Sequence, residues 1–119
     1  MGAENCQAEY VRVPLADGTL VATPSTPDPD LIPSLLACSD VLGTGWFAAK
    51  AAEVGPGKTV AVIGDGAVGL LAVLSAKLMG ADRIIAMSRH ESRQKVAIEF
   101  GATEQPPTLA RVIDRSSPR

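Results

Sequence analysis

The chain has 119 residues, of which 46% are hydrophobic and 20% charged, with a formal net charge of −2. That is enough for one modest domain with a real core, and too apolar for a disordered acidic tail. It offers no basic field for nucleic acid, and glycine or charge breaks every apolar run well short of the ~18 residues a membrane helix needs.

The opening MGAENCQAEY carries an early acid and no apolar block, and it lacks the Ser or Thr of a myristoylation pattern, so no secretory signal or lipid anchor is expected. Cys6 and Cys38 stand far apart without a C-x-x-C, which reads as ordinary thiols in a reducing cytoplasm. A four-cysteine zinc site is excluded. Residues 7–14, QAEYVRVP, suit a strand, 16–18 a turn and 19–22 a second short strand. Residues 23–33 hold four of the nine prolines and read as a linker or surface crossing. A short helix is expected over 31–38, capped by Asp30 or Ser34. Gly43, Thr44 and Gly45 should then interrupt it before a second helix over 46–54, which Gly55, Pro56 and Gly57 stop. Asp40 lies at that break and, on spacing alone, reads as a cap or turn aspartate.

The most informative stretch follows, KTVAVIGDGAVGLLAVLSAKLMG. Residues 60–63 are apolar and β-branched, as in a strand buried on both faces of a parallel sheet. Gly64, Gly66 and Gly69 come next in G-x-G-x-x-G spacing, ahead of a helix whose stripe is Leu70, Leu71, Leu74 and Leu78. Strand, glycine turn and helix together hold a dinucleotide pyrophosphate. The first glycine permits the turn, the second lets backbone approach the phosphates, and the third lets helix and strand pack closely. The N–H groups and positive dipole end of the helix then face the anion. A glycine-punctuated βα turn without a ligand is the plainer alternative. A second strand, Arg83–Met87, and a helix over 91–100 stopped by Gly101 complete a β–α–β–α run. From 104 onward, paired prolines and a charged, serine-rich end predict a poorly ordered tail, with Leu109, Val112 and Ile113 fit for one helical turn.

An acid about 20 residues past the glycines normally binds the adenosine ribose 2′-hydroxyl and marks NAD. Here Ser88 takes that place and Arg89 follows, so repulsion of a 2′-phosphate is removed and a guanidinium can grip it. NADP is therefore expected over NAD. Ser88 also suits the N-cap of the following helix. His90, the only histidine, has no nearby partner for a metal.

Taken together, QAEYVRVPLADGTL, LLACSDVLGTGWFAAKAAEVGPGKTVAVIGDGAVGLLAVLSAKLMGADRIIAMSRH and EFGATE resemble the zinc-dependent, medium-chain alcohol dehydrogenases. The likeness is greatest to bacterial threonine-dehydrogenase-like members with S-R-H after the second strand. The resemblance implies a partial Rossmann fold, a doubly wound parallel sheet of α/β class, preceded by a fragment of a β-rich GroES-like catalytic domain. On that plan residues 1–29 are a remnant of the catalytic domain and linker, and 30–57 are connecting helices. Residues 58–104 are then the first half of the dinucleotide-binding domain, and 105–119 an off-pattern tail. Asp40 falls where the family places the third protein ligand of its catalytic zinc, and Thr44 where a threonine packs on the nicotinamide. Gly64, Gly66 and Gly69 match the pyrophosphate turn, Val68 an apolar residue beside the nicotinamide, and Ser88 and Arg89 the site that selects NADP.

In that family zinc holds an alcohol as alkoxide while hydride passes to the nicotinamide. The other two zinc ligands belong to a region ahead of residue 7, Cys6 is no substitute for them, and the text after Glu104 leaves the pattern. Truncation at both ends, or a frame-shifted end, is expected. The reading is thus a fragment of an NADP-preferring zinc alcohol dehydrogenase. It would be cytoplasmic, act on a small alcohol or carbonyl, have no nucleic-acid or membrane partner, be homo-oligomeric in full-length relatives, and be inactive as the isolated chain. The alternatives are a zinc-free, quinone-reductase-like member, in which Asp40 is only a turn residue, and a non-catalytic nucleotide-binding remnant.

Overall fold

The computed structural model describes residues 9–88 and 90–105. The expectations placed on Cys6, Arg89 and the tail from 106 onward lie outside the described residues. The chain divides into two compact units, Met1–Leu31 and Ile32–Arg119.

In the first unit the described residues contain one helical turn, α1 (Ala16–Thr19), a 3-10 turn (Pro29–Leu31) and no strand. The strands expected over 7–14 and 19–22 are thus not seen among the described residues. Tyr10 and Val21 are almost fully exposed. A strand needs a neighbour to receive its N–H and C=O groups, and the described residues of this unit supply none. The 3-10 turn is capped by Asp28, whose carboxylate accepts the Asp30 N–H at 2.9 Å. Neither Asp30 nor Ser34 does that work.

The second unit runs α2 (Ile32–Cys38), α3 (Val41–Ala51), β1 (Thr59–Ile63), α4 (Ala67–Leu78), β2 (Arg83–Met87) and α5 (Glu91–Phe100). Gly43, Thr44 and Gly45 do not interrupt a helix, because they lie inside α3. The reason is packing. A Cβ on Gly45 would stand 2.7 Å from the Ala72 nitrogen and 2.8 Å from the Leu71 carbonyl carbon, so this glycine lets α3 and α4 meet backbone to backbone. The left-handed stop of α3 is Glu53 (φ 52°), ahead of the glycines that were expected to end it.

β1 and β2 pair in parallel, Thr59 opposite Arg83 through Ile63 opposite Met87. Beyond β2, Glu104 makes an isolated parallel bridge to Ile85, and the Ala86 N–H donates to the Glu104 carbonyl at 2.9 Å. β2 is therefore flanked on both sides, and β1 among the described residues on one. That asymmetry shows in burial. Ile84, Ile85 and Ala86 are buried, whereas Thr59, Ala61 and Ile63 are exposed and only Val60 and Val62 are partly covered. The expectation of a first strand buried on both faces is corrected accordingly.

The core gathers Val73 and Ala76 of α4, Ile84 and Ala86 of β2, Ala97 of α5, and Ala102. The leucine stripe expected on α4 is displaced, with Leu78 65% exposed. α4 serves two neighbours, the core through Leu70, Val73 and Ala76 and α3 through Leu71 and Ala72, so its packing surface turns away from a single leucine row. Both later helices end as their glycines predict, Gly80 at φ 83° and Gly101 at φ 118°, each followed by an amide bonded five residues back. Arg83 and Glu104 tie the start of β2 to the bridging segment with a two-pronged pair, Nε to Oε1 at 2.5 Å and Nη2 to Oε2 at 2.6 Å. Among the described residues no single helix is long and apolar enough to cross a membrane.

Candidate nucleotide-binding site

The turn between β1 and α4 uses its three glycines for three separate reasons. Gly64 sits at φ 114°, where a side chain would be strained. Gly66 is the N-cap of α4, extended at φ −78° and ψ −178°, and a Cβ there would meet nothing within 4 Å. Its lack of a side chain leaves open space in front of the helix. Gly69 is required by contact, since its Cβ would stand 2.9 Å from the Gly64 carbonyl carbon and nearer still to the oxygen. The first bond back along the helix runs from the Leu70 N–H to the Gly66 carbonyl at 2.9 Å, so the amides of 67–69 precede the intrahelical ladder. No side chain caps this end. Unspent N–H groups, the positive helix end and open space in front are what an anionic group needs.

An open apolar groove of about 680 Å³ adjoins the turn. Gly64 and Gly66 line it from the turn, Val68 and Gly69 from the first turn of α4, and Ala48, Ala49 and Ala52 from the end of α3 and its C-cap. Val68 is 40% exposed there. The four turn residues singled out in the sequence thus share one groove.

Ser88 reaches the same turn by a route the sequence reading missed. It is buried, and its hydroxyl donates to the Asp65 carboxylate, the residue between the first two glycines. Asp65 also accepts a bond from Arg93 of α5, Nη1 to Oδ1 at 3.3 Å. The Ser88 bond, and then Arg93, hold the Asp65 carboxyl below the usual carboxylate range against the opposing pull of desolvation. An acid inside a turn fit for anions was the available signal. Ser88 does not cap α5 as expected. The N-cap is His90, without a side-chain cap bond, and its N–H donates to Ser88 Oγ at 3.2 Å. Gln94 Nε2 fixes the Ser88 carbonyl at 3.0 Å.

Asp40 and Thr44 form a separate pair at the start of α3. Both are exposed, and Thr44 Oγ1 lies 3.2 Å from the Asp40 carbonyl and 3.4 Å from its carboxylate. Asp40 is the N-cap of α3 but makes no side-chain cap bond. Neither residue lines the groove. Among the described residues no three His, Cys, Asp or Glu side chains come together as a metal site, so the residues seen do not by themselves fit a zinc ion.

Comparison with known proteins agrees with this geometry. No protein-family profile matches the chain. An alcohol dehydrogenase of Cupriavidus necator is 40% identical over 101 residues, covering 83% of the chain and 26% of that relative. A Mycobacterium tuberculosis protein named "Probable zinc-binding alcohol dehydrogenase" is 39% identical over 107 residues, 90% of the chain and 27% of the relative. Among solved structures, the alcohol dehydrogenase of Thermus sp. ATN1 superposes with a TM-score of 0.77 at 32% identity, over 92% of the chain and 32% of its own. A dehydrogenase from Sinorhizobium meliloti 1021 classed as zinc-binding, solved with NADP, gives 0.54 at 33% identity over 56% of the chain and 19% of its own. The chain spans about a quarter of the length of these curated relatives.

Proposed function

From the premise that over this stretch the chain belongs with the zinc-dependent medium-chain alcohol dehydrogenases, a family of oxidoreductases, we propose that it carries the pyrophosphate- and ribose-binding part of an NADP-preferring dehydrogenase. The family reaction would be reversible hydride transfer between a small alcohol or carbonyl compound and the nicotinamide, in the cytoplasm. The observation that carries the reading is the β1–α4 turn, where backbone conformation calls for Gly64, close contact calls for Gly69, and Gly66 leaves the space before the helix open.

In this reading the amides of 67–69 hold the pyrophosphate, and Val68 gives the nicotinamide end an apolar wall. Thr44 packs against that ring. Ser88 and Arg89 receive the 2′-phosphate, with no carboxylate of their own to repel it. Asp40 is one carboxylate ligand for zinc in the setting of the longer relatives. A catalytic zinc takes three protein ligands and an open position, so no step through the metal is assigned to the residues described. The chain alone is accordingly expected to bind nucleotide without turning over alcohol.

Calorimetric titration with NADP⁺ and NAD⁺ tests this. Saturable binding of both, tighter for NADP⁺, is the expected result. Failure to saturate below the millimolar range would leave a decayed gene product as the better account. A preference for NAD⁺ would remove the role given to Ser88 and Arg89.

A further inference from the structure

We propose that Asp65 is a specificity-determining residue of the nucleotide site, returning to the tip of β2 the negative charge that Ser88 lacks, with Arg93 as its counterweight. This inference rests on the dinucleotide reading above. In sheets of this kind an acid at the end of the second strand faces the ribose 2′ position. Here the residue that follows the strand is Ser88, yet the Ser88 hydroxyl donates directly to a carboxylate that arrives from the glycine turn. The acid has changed its place in the chain without leaving the place in space. Ser88 and Gln94 fix the arrangement, because the Ser88 carbonyl is held from α5 at 3.0 Å while its hydroxyl is held from the turn.

Two features make the charge matter. The Asp65 side chain is 15% exposed, screened from bulk water yet not sealed. Arg93 is 55% exposed and meets Asp65 through one nitrogen at 3.3 Å, leaving most of its guanidinium donors turned elsewhere. A 2′-phosphate arriving at Ser88 would feel both, repelled by Asp65 and attracted by Arg93. A 2′-hydroxyl would instead find in Asp65 an acceptor. The two residues therefore push the choice between cofactors in opposite directions.

The test is calorimetric titration of NADP⁺ and NAD⁺ against the full chain and two variants, with thermal melts to establish that each is folded. Asp65→Asn keeps an acceptor for Ser88 and loses the charge, and Arg93→Gln removes an exposed cation. Asp65→Asn is expected to move the affinity ratio toward NADP⁺ by about tenfold, the size of a partly screened unit charge at close range. Arg93→Gln is expected to move it several-fold toward NAD⁺. A ratio that stays within twofold in both folded variants overturns the inference and leaves the dinucleotide reading standing. So does a shift in the same direction in both, or equal weakening of both nucleotides. A wild-type chain that binds neither nucleotide overturns the reading, and the inference with it.

Discussion

Gly43 and Gly45 stand two positions apart in α3 and predict opposite mutational outcomes. A Cβ at Gly45 would be driven into the backbone of α4, whereas one at Gly43 would meet nothing within 4 Å. Gly45→Ala should therefore cost about 1–3 kcal/mol of overpacking, and Gly43→Ala should add about 0.5–1 kcal/mol from helix propensity. Urea unfolding of the two variants checks both signs at once. Glu53 closes α3 in the left-handed region that glycine occupies freely, so Glu53→Gly should raise stability by about 0.5–1 kcal/mol in the same assay. Asp65 links stability to pH. Its folded-state pKa is depressed, so its contribution is present above the ordinary carboxylate range and is lost as pH falls through the depressed value. Unfolding measured from neutral to acid pH should show the wild type losing that increment while Asp65→Asn does not. The glycine turn itself was legible in the sequence, because the φ of Gly64 and the close approach of Gly69 to it are both decided within six residues. The link of Asp65 to Ser88 was not, because Ser88 lies just beyond the next strand and only the fold brings them together.

At the scale of elements, legibility follows how local the deciding interaction is. β2 and α5 sit where their apolar run and glycine stop place them, Arg83–Met87 and Glu91–Phe100, since strand length and cap are written within a few residues. α3 was misjudged because propensity treats Gly43 and Gly45 as breakers, while the packed structure uses Gly45 as a contact with α4. Among the described residues, the strands expected over 7–14 and 19–22 are not seen for the complementary reason, since alternation proposes a strand but only a pairing partner makes one. Gly69 is where element packing meets the site. Gly69→Ala should push α4 away from the Gly64 carbonyl, lower the melting temperature and weaken NADP⁺ by tenfold or more, read by a melt and a titration on the same sample.

Across the whole molecule, the sheet is read from its middle outward. β2 lies between β1 and the Glu104 bridge, and the core closes over Ile84 and Ala86. β1 carries the glycine turn yet has its outer face exposed, with Ile63 at 76%. Hydrogen exchange should accordingly protect the amides of 84–86 most strongly, with β1 opening sooner. The candidate site thus adjoins the strand expected to be less protected, and Ser88, just beyond the better-held one, bonds to Asp65 of its turn.

The central claim, that the β1–α4 turn is a dinucleotide cradle steadied by Ser88, is tested most directly by following backbone amide resonances of the chain during an NADP⁺ titration. The account predicts saturable shifts at Gly64, Asp65, Gly66, Ala67, Val68, Gly69 and Ser88, with α2 and the residues before it unmoved. Shifts that bypass 64–69, or a spectrum indifferent to the nucleotide, would contradict it.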